Sequence, residues 1–267
     1  QPGLSLVCTD LLDFAGDEIY FKQEPNLTGK TYRHASLAYD TSVVIGFLTA
    51  EGKVLLTPPA DTIFGEHDQI IAISRDDDTV IMSSRPHSGI DDEANLSMTP
   101  APPLPIHILI LGWNKKSLML IQHLSDYTVD GSTIVVAADC DESQRQIEQY
   151  ASLSTATLEH RKIDPTDRRQ LETLSFGNLD NVVILPCFEK EPGRDPAEID
   201  RLDAGTVVTL LNVRDIRRKS GYSLSIVAEI LNVTTRSLVE TAEDDDFVVS
   251  DSLISLVISQ ISENKNL

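Results

Sequence analysis

Cysteine is scarce in this chain: three among 267 residues, at positions 8, 140 and 187. The number is odd and no pair has CxxC spacing, which excludes a disulfide framework and a cysteine-based zinc site. A reducing, cytosolic setting follows as the simpler expectation. Basic residues are also few, with 22 Lys and Arg against 42 Asp and Glu for a net charge of −20. Duplex nucleic acid and anionic membrane surfaces both require a basic footprint, so no nucleic-acid partner is expected. No apolar run reaches the ~18 residues of a membrane span, and the N-terminus lacks the basic and apolar regions of a signal peptide. The chain opens on Gln1 without a Met, which reads as a piece of something longer. Also absent are a P-loop, a Gly-x-Ser-x-Gly elbow, a Cys-His neighbourhood and any HxxxH or HExxH pairing among the six histidines. With no nucleophile, base or metal triad in a recognisable setting, no catalytic residues and no enzyme activity are expected.

What is present fits a globular chain. Hydrophobic residues make up 41% and charged ones 24%, and the length suits two domains of ordinary size. The clearest break runs from about Asp76 to Pro105. It holds the acidic runs Asp76-Asp77-Asp78 and Asp91-Asp92-Glu93 and ends in Pro100-Ala101-Pro102-Pro103-Leu104-Pro105. Residues 81–105 read as a linker, partly disordered, because loops of that length are uncommon inside one compact domain.

Residues 1–80 read as a small β-rich α+β lobe. Strands are expected at Glu18–Lys22, Ser42–Leu48, Lys53–Thr57 and Gln69–Ile73, with a hairpin turn at Glu51-Gly52 and one short helix within Thr31–Tyr39. Residues 106–267 alternate apolar strands with helices. Strands at Ile106–Leu111, Ile134–Ala138, Thr157–Ile163, Asn181–Leu185 and Ser225–Leu231 are separated by helical stretches, the longest from Pro196 to about Lys219. Near-continuous apolar strands are buried on both faces, so the fold class is α/β, a Rossmann-like parallel sheet preceded by the smaller lobe. Thr206–Ile216 carries apolar residues on almost every face, which implies a helix buried in the domain or in a subunit interface. Leu253, Ile254, Val257, Ile258 and Ile261 recur at helical spacing and suggest core packing for most of them, with an oligomer surface as the other reading.

The first strand-to-helix turn reads Gly112-Trp113-Asn114-Lys115-Lys116-Ser117. A dinucleotide fold needs Gly-x-Gly-x-x-Gly there, so that the backbone can approach a pyrophosphate. Only Gly112 remains, and Asn114 stands where the second glycine would be. The turn is degenerate, and it argues against NAD as a cofactor. Asp139, Asp141 and Asp164 lie at the ends of the second and third strands, the edge where open α/β sheets place ligands. Carboxylates suit a hard cation such as Ca²⁺, so these three are the candidate metal ligands, with helix capping as their alternative role. Asp244-Asp245-Asp246 is expected to be a solvated loop, since adjacent side chains diverge.

Several strings in this order resemble one family. They are Phe14-Ala15-Gly16-Asp17-Glu18-Ile19-Tyr20, Ile73-Ser74-Arg75-Asp76-Asp77-Asp78-Thr79, Ile110-Leu111-Gly112-Trp113, and Thr209-Leu210-Leu211-Asn212-Val213-Arg214-Asp215-Ile216. Ile226-Val227-Ala228-Glu229-Ile230-Leu231 and Asp246-Phe247-Val248-Val249-Ser250-Asp251-Ser252-Leu253 complete the set. Together they resemble the cytoplasmic gating-ring region of the CASTOR/POLLUX ion channels, built from RCK (regulator of K⁺ conductance) domains. The resemblance implies that residues 1–80 form the C-terminal lobe of one RCK domain and residues 106–267 the Rossmann lobe of a second. It also implies a pore supplied by a missing upstream part, other RCK domains of a homotetramer as partners, and Ca²⁺ as the ligand coupled to pore opening. Two other readings stand beside it: a peripheral TrkA-like, nucleotide-binding subunit regulating a K⁺ transporter, and an NAD-dependent enzyme.

Overall fold

The structure is a computed structural model that describes residues 3–83, 102–188, 190, 193, 195–235 and 245–263. Most of the expected linker, along with Asp91-Asp92-Glu93 and Asp244, lies outside the described residues. The chain divides into two compact units. One draws on residues 1–5 and 100–253, the other on residues 6–99 and 254–267.

The smaller unit is built on a four-stranded antiparallel sheet in the order β1-β4-β2-β3, with β1 Glu18–Gln23, β2 Val43–Leu48, β3 Val54–Leu56 and β4 Gln69–Ser74. The hairpin between β2 and β3 turns where Gly52 takes φ 80, a left-handed conformation that glycine adopts without steric cost. Its closing bond runs from Thr49 N–H to Lys53 O at 2.9 Å. Phe47, Phe64, Leu27 and Ile70 fill the core. Edge-to-face contacts of Phe47 with Phe64 (5.0 Å between centroids) and with Tyr32 (5.4 Å) fix the ring packing. The short helix α2, Tyr32–Ser36, is capped by Thr31, whose hydroxyl accepts from His34 N–H. A further helix, α1 at Leu4–Leu12, was not expected from the sequence. Its Leu4, Leu6 and Val7 are exposed, so the stretch offers no one-sided apolar pattern to read.

The larger unit carries a six-stranded, all-parallel sheet in the order β10-β9-β8-β5-β6-β7. Its elements are β5 His107–Leu111, α3 Ser117–Tyr127, β6 Thr133–Ala137, α4 Asp141–Tyr150, β7 Thr157–Arg161, α5 Arg168–Leu171, β8 Asn181–Ile184, α6 Pro196–Ser220, β9 Ser225–Glu229 and β10 Asp245–Val248. The last helix, α7, spans Ser250–Glu263, of which residues 250–253 belong to this unit and the rest to the other. The unbroken apolar run of β5 is explained by its two faces. Ile108 and Ile110 pack with Trp113, Ile121 and Ile147, whereas Leu109 and Leu111 pack with Leu210 and Val213. Helix α6 is bounded by strong local signals. Asp195 caps it by accepting from Ala197 N–H, Pro196 starts it and Gly221 ends it at φ 68.

Helix α6 buries Thr206, Thr209, Leu210, Val213 and Ile216 in this unit and leaves Val208 and Leu211 exposed, so the domain covers one face of it and not the other. Two sequence expectations need revision. The apolar stripe of α7 is exposed at Ile254, Val257, Ile258 and Ile261 rather than packed as core. The solvated loop expected around Asp244–Asp246 is, for Asp245 and Asp246, the sheet-edge strand β10. Both are buried, because each carboxylate finds partners within this unit. Arg214 Nε and Arg217 donate to Asp245 at 2.5 and 2.8 Å, and Ser5 donates its backbone N–H and its hydroxyl to Asp246.

Candidate functional site

The carboxyl edge of the parallel sheet centres on the turn after β5. Gly112 leaves the strand at φ 99, and its N–H donates to Ala137 O at 3.0 Å. A Cβ placed on it would meet Leu185 O at 2.0 Å. Glycine is thus required here by close approach of the β8 chain, whether or not any ligand binds. Trp113 turns into the core beside Ile108 and Ile121. Asn114 is likewise buried and knits the turn together. Its N–H donates to Ser117 Oγ at 2.9 Å, and its Oδ1 accepts from Lys116 N–H at 3.0 Å. Its Nδ2 donates to Pro186 O and to Glu229 Oε2, both at 3.2 Å.

Glu229, the last residue of β9, is the feature that sequence reading missed. It is 6% exposed and lies at the centre of a three-donor network. Lys116 Nζ donates to its Oε1 at 2.6 Å, the Ser250 hydroxyl donates to the same oxygen at 2.6 Å, and Asn114 Nδ2 serves Oε2. A carboxylate this buried needs such partners, since an unpaired charge in the interior is strongly disfavoured. The only sequence hint was an acid closing an otherwise apolar strand.

The three candidate metal ligands are not gathered into one cluster. Asp139 and Asp141 face the same cation, with Lys162 Nζ at 3.9 and 2.7 Å. The Lys162 hydrogen bond and charge hold the Asp141 carboxyl below the usual carboxylate range, and Asp141 in turn raises the Lys162 ammonium. Asp164 is engaged locally, accepting from Thr166 N–H at 2.9 Å and from its hydroxyl at 2.7 Å. Among the described residues, the set of three acidic, His or Cys ligand atoms lying within 4.8 Å of one another is Asp76, Asp77 and Asp78, all exposed.

Next to Asp141, His160 of β7 hydrogen-bonds the buried Ser143 hydroxyl through Nε2 at 2.7 Å. That hydroxyl donates to Cys140 O, so it accepts from the ring, and the neutral ring keeps its proton on Nε2. Burial lowers the His160 pKa from 6.5; the nearby Lys162 charge also lowers it, while Glu148 opposes the shift. The neutral form is favoured in the fold, so this contribution to stability is full above the unfolded-state value and is lost as pH falls through the depressed one. A His160→Gln variant should therefore show a flatter decline in urea midpoint between about pH 7 and pH 5. Parallel declines for the two proteins would sink this account.

Beside β7 the crossover to β8 contains the four-residue helix α5 and a 3-10 turn at Phe176–Asn178, both too short to cover the sheet. A cavity of about 540 Å³ opens there over Leu109, Val135, Ile163 and Leu174, with the Glu159–Arg161 ion pair on its rim.

A family model described as "Castor and Pollux, part of voltage-gated ion channel" matches residues 1–89. "Probable ion channel POLLUX" of Oryza sativa subsp. japonica is 27% identical over 303 residues, which take in 100% of this chain and 31% of that protein. "Ion channel POLLUX" of Lotus japonicus is 26% identical over 307 residues, 100% of this chain and 32% of that one. The chain is similar to CASTOR/POLLUX ion channels along its whole length. It spans about a third of the length of the curated relatives it matches. Three of the strings that carry the CASTOR/POLLUX resemblance, Ile110–Trp113, Ile226–Leu231 and Asp246–Leu253, meet in or beside the Glu229 network. A fourth, Thr209–Ile216, supplies Arg214 to Asp245.

Among solved structures, "Shewanella denitrificans Kef CTD in AMP bound form" aligns over 60% of this chain and 82% of that one, at 15% identity and a TM-score of 0.35. "Crystal Structure of NAD+-Bound Xylitol Dehydrogenase" aligns over 59% of this chain and 61% of that one, at 12% identity and a TM-score of 0.33. No described helix is long and apolar enough to cross a membrane.

Proposed function

We propose that this chain is a cytoplasmic regulatory segment of a cation channel, a gating-ring part that senses a ligand, Ca²⁺, and couples it to pore opening. The observation that carries the reading is similarity to named ion channels over the full chain, joined to a Rossmann-like unit whose first turn is closed on itself. The pore lies elsewhere in the same protein, and other RCK domains of a homotetramer complete the ring. On this reading residues 1–80 and 106–267 belong to successive RCK domains, and neither acts as an enzyme.

Asp139 and Asp141 are the best-placed acids to meet a cation at the sheet edge, since both already face Lys162. Ca²⁺ would compete with that ammonium, and Asp164 adds a half-buried carboxylate nearby on the same edge. A ligand can shift the pore only by its difference in affinity for the two gating states. Two experiments follow. In the full-length channel in a bilayer, open probability should rise with Ca²⁺, and Asp139→Asn/Asp141→Asn should blunt the rise. In this chain, Lys162→Met should tighten Ca²⁺ binding measured by calorimetry. An open probability indifferent to Ca²⁺ would overturn the Ca²⁺ reading. A Ca²⁺ response that survives the double substitution would remove these residues from the site.

A further inference from the structure

We propose that Glu229 is the resident anion of the first strand-to-helix turn, and that it decides specificity by closing that turn to phosphate-bearing ligands. In a dinucleotide fold this turn offers its donors to a pyrophosphate. Here the turn offers an ammonium and a carboxamide N–H, Ser250 at the start of α7 adds a hydroxyl, and all three are directed onto one side-chain carboxylate. Lys116 Nζ and the Ser250 hydroxyl reach Glu229 Oε1 at 2.6 Å each, and Asn114 Nδ2 reaches Oε2 at 3.2 Å. These are the donor types that bind phosphate oxygens, and the chain spends them on itself.

The burial supports a closed arrangement. Asn114 is 1% exposed and Glu229 6%, so a phosphate would need either to displace the carboxylate or to sit against it. The phosphate and the carboxylate would repel as like charges, and displacing the carboxylate would leave it buried without Lys116, whose side chain is 34% exposed. The loss of the second glycine then acquires a second cause. Besides obstructing ligand approach, Asn114 contributes a bond to the occupant. The proposal is independent of which ligand the channel senses.

A brace that merely stabilises the fold and a resident anion differ in one respect: removal of a brace only weakens the protein, whereas removal of an anion frees a site. The test is thermal unfolding of this chain with and without millimolar inorganic pyrophosphate or NAD. The wild-type midpoint should not move. The midpoint of Glu229→Ala should rise by at least about 2 °C with pyrophosphate, and the rise should vanish when Lys116→Met is added. A wild-type midpoint raised as much as the variant's, or no gain in a folded Glu229→Ala chain, would overturn the proposal. Should Glu229→Ala fail to fold, Glu229→Gln keeps the shape without the charge. Acylation of Lys116 by acetic anhydride, read by mass spectrometry, should then run about tenfold faster in the glutamine variant than in wild type. Equal rates would show that the carboxylate does not hold Lys116, and would overturn the proposal as well.

Discussion

Asp245→Ala is expected to destabilise the parallel-sheet unit by roughly 3–5 kcal/mol, the range found when one member of a buried charge cluster is removed. The Asp245 carboxylate has no exposed surface, and the two guanidiniums that serve it are only 14% and 18% exposed. Deleting it takes from both arginines the carboxylate that balances their charge. Arg214 also lies over the Phe247 ring, 5.7 Å from its centroid, so its reorientation would disturb the β10 face as well. An exposed pair gives the contrast. Glu142 and Arg145 form an ion pair on the surface of α4, and Glu142→Ala should shift stability by no more than about 0.5 kcal/mol. Trp113, the chain's single tryptophan, is buried in the same unit and reports its unfolding by fluorescence. Urea titrations of the two variants followed at Trp113 would decide the matter. Similar midpoints for both would mean that the Asp245 cluster contributes little.

The second large effect concerns Gly112. Alanine there faces two separate penalties. Its φ of 99 lies where side-chain-bearing residues are strained, a cost of about 1–3 kcal/mol. Its Cβ would also stand 2.0 Å from Leu185 O, which must move. That carbonyl belongs to a residue whose own N–H donates to Leu111 O at 2.8 Å, so the displacement would pull on the β5–β8 ladder for about another 1–3 kcal/mol. Gly52→Ala isolates the first penalty, since φ is 80 and no atom lies within 4 Å of the added carbon. The expectation is a urea midpoint lowered far more by Gly112→Ala, read at Trp113, than by Gly52→Ala, read by circular dichroism of the antiparallel unit. Equal losses would show that the approach of β8 is relieved at no cost.

The α/β class and most strands were legible because apolar runs buried on two faces leave an unmistakable pattern, as at His107–Leu111. Helix α6 was legible through its caps, Asp195 with Pro196 at one end and Gly221 at the other. The strand β10 was not. Asp245 and Asp246 violate the rule that acids face water, and only the fold shows that α6 brings two arginines to one and Ser5 to the other. The Glu229 network was hidden for a similar reason. Its members are 113 and 115 positions apart in the chain for Lys116 and Asn114, so no local spacing announces it. The exposed faces of α6 and α7 stayed open between core and subunit surface because periodicity shows that a stripe is apolar without showing what covers it. The turn's departure from a dinucleotide fingerprint is plain in the sequence, but the need for its remaining glycine comes from the Leu185 carbonyl, which only the fold brings beside it.

The division of the chain has a bearing on how its parts can be handled separately. Neither unit is one uninterrupted stretch. The parallel-sheet unit takes in residues 1–5, whose Ser5 satisfies Asp246, and the antiparallel unit takes in residues 254–267, whose Gln260 donates to Leu12 O at 3.3 Å. Cutting the gene once, between the two sheets, would therefore deprive each product of a terminal piece and leave it carrying the other's. A fragment faithful to either unit has to be spliced from two segments, in the manner of a circularly permuted protein. Residues 1–5 and 254–267 are therefore as much a part of each unit's design as the long segment that carries its sheet.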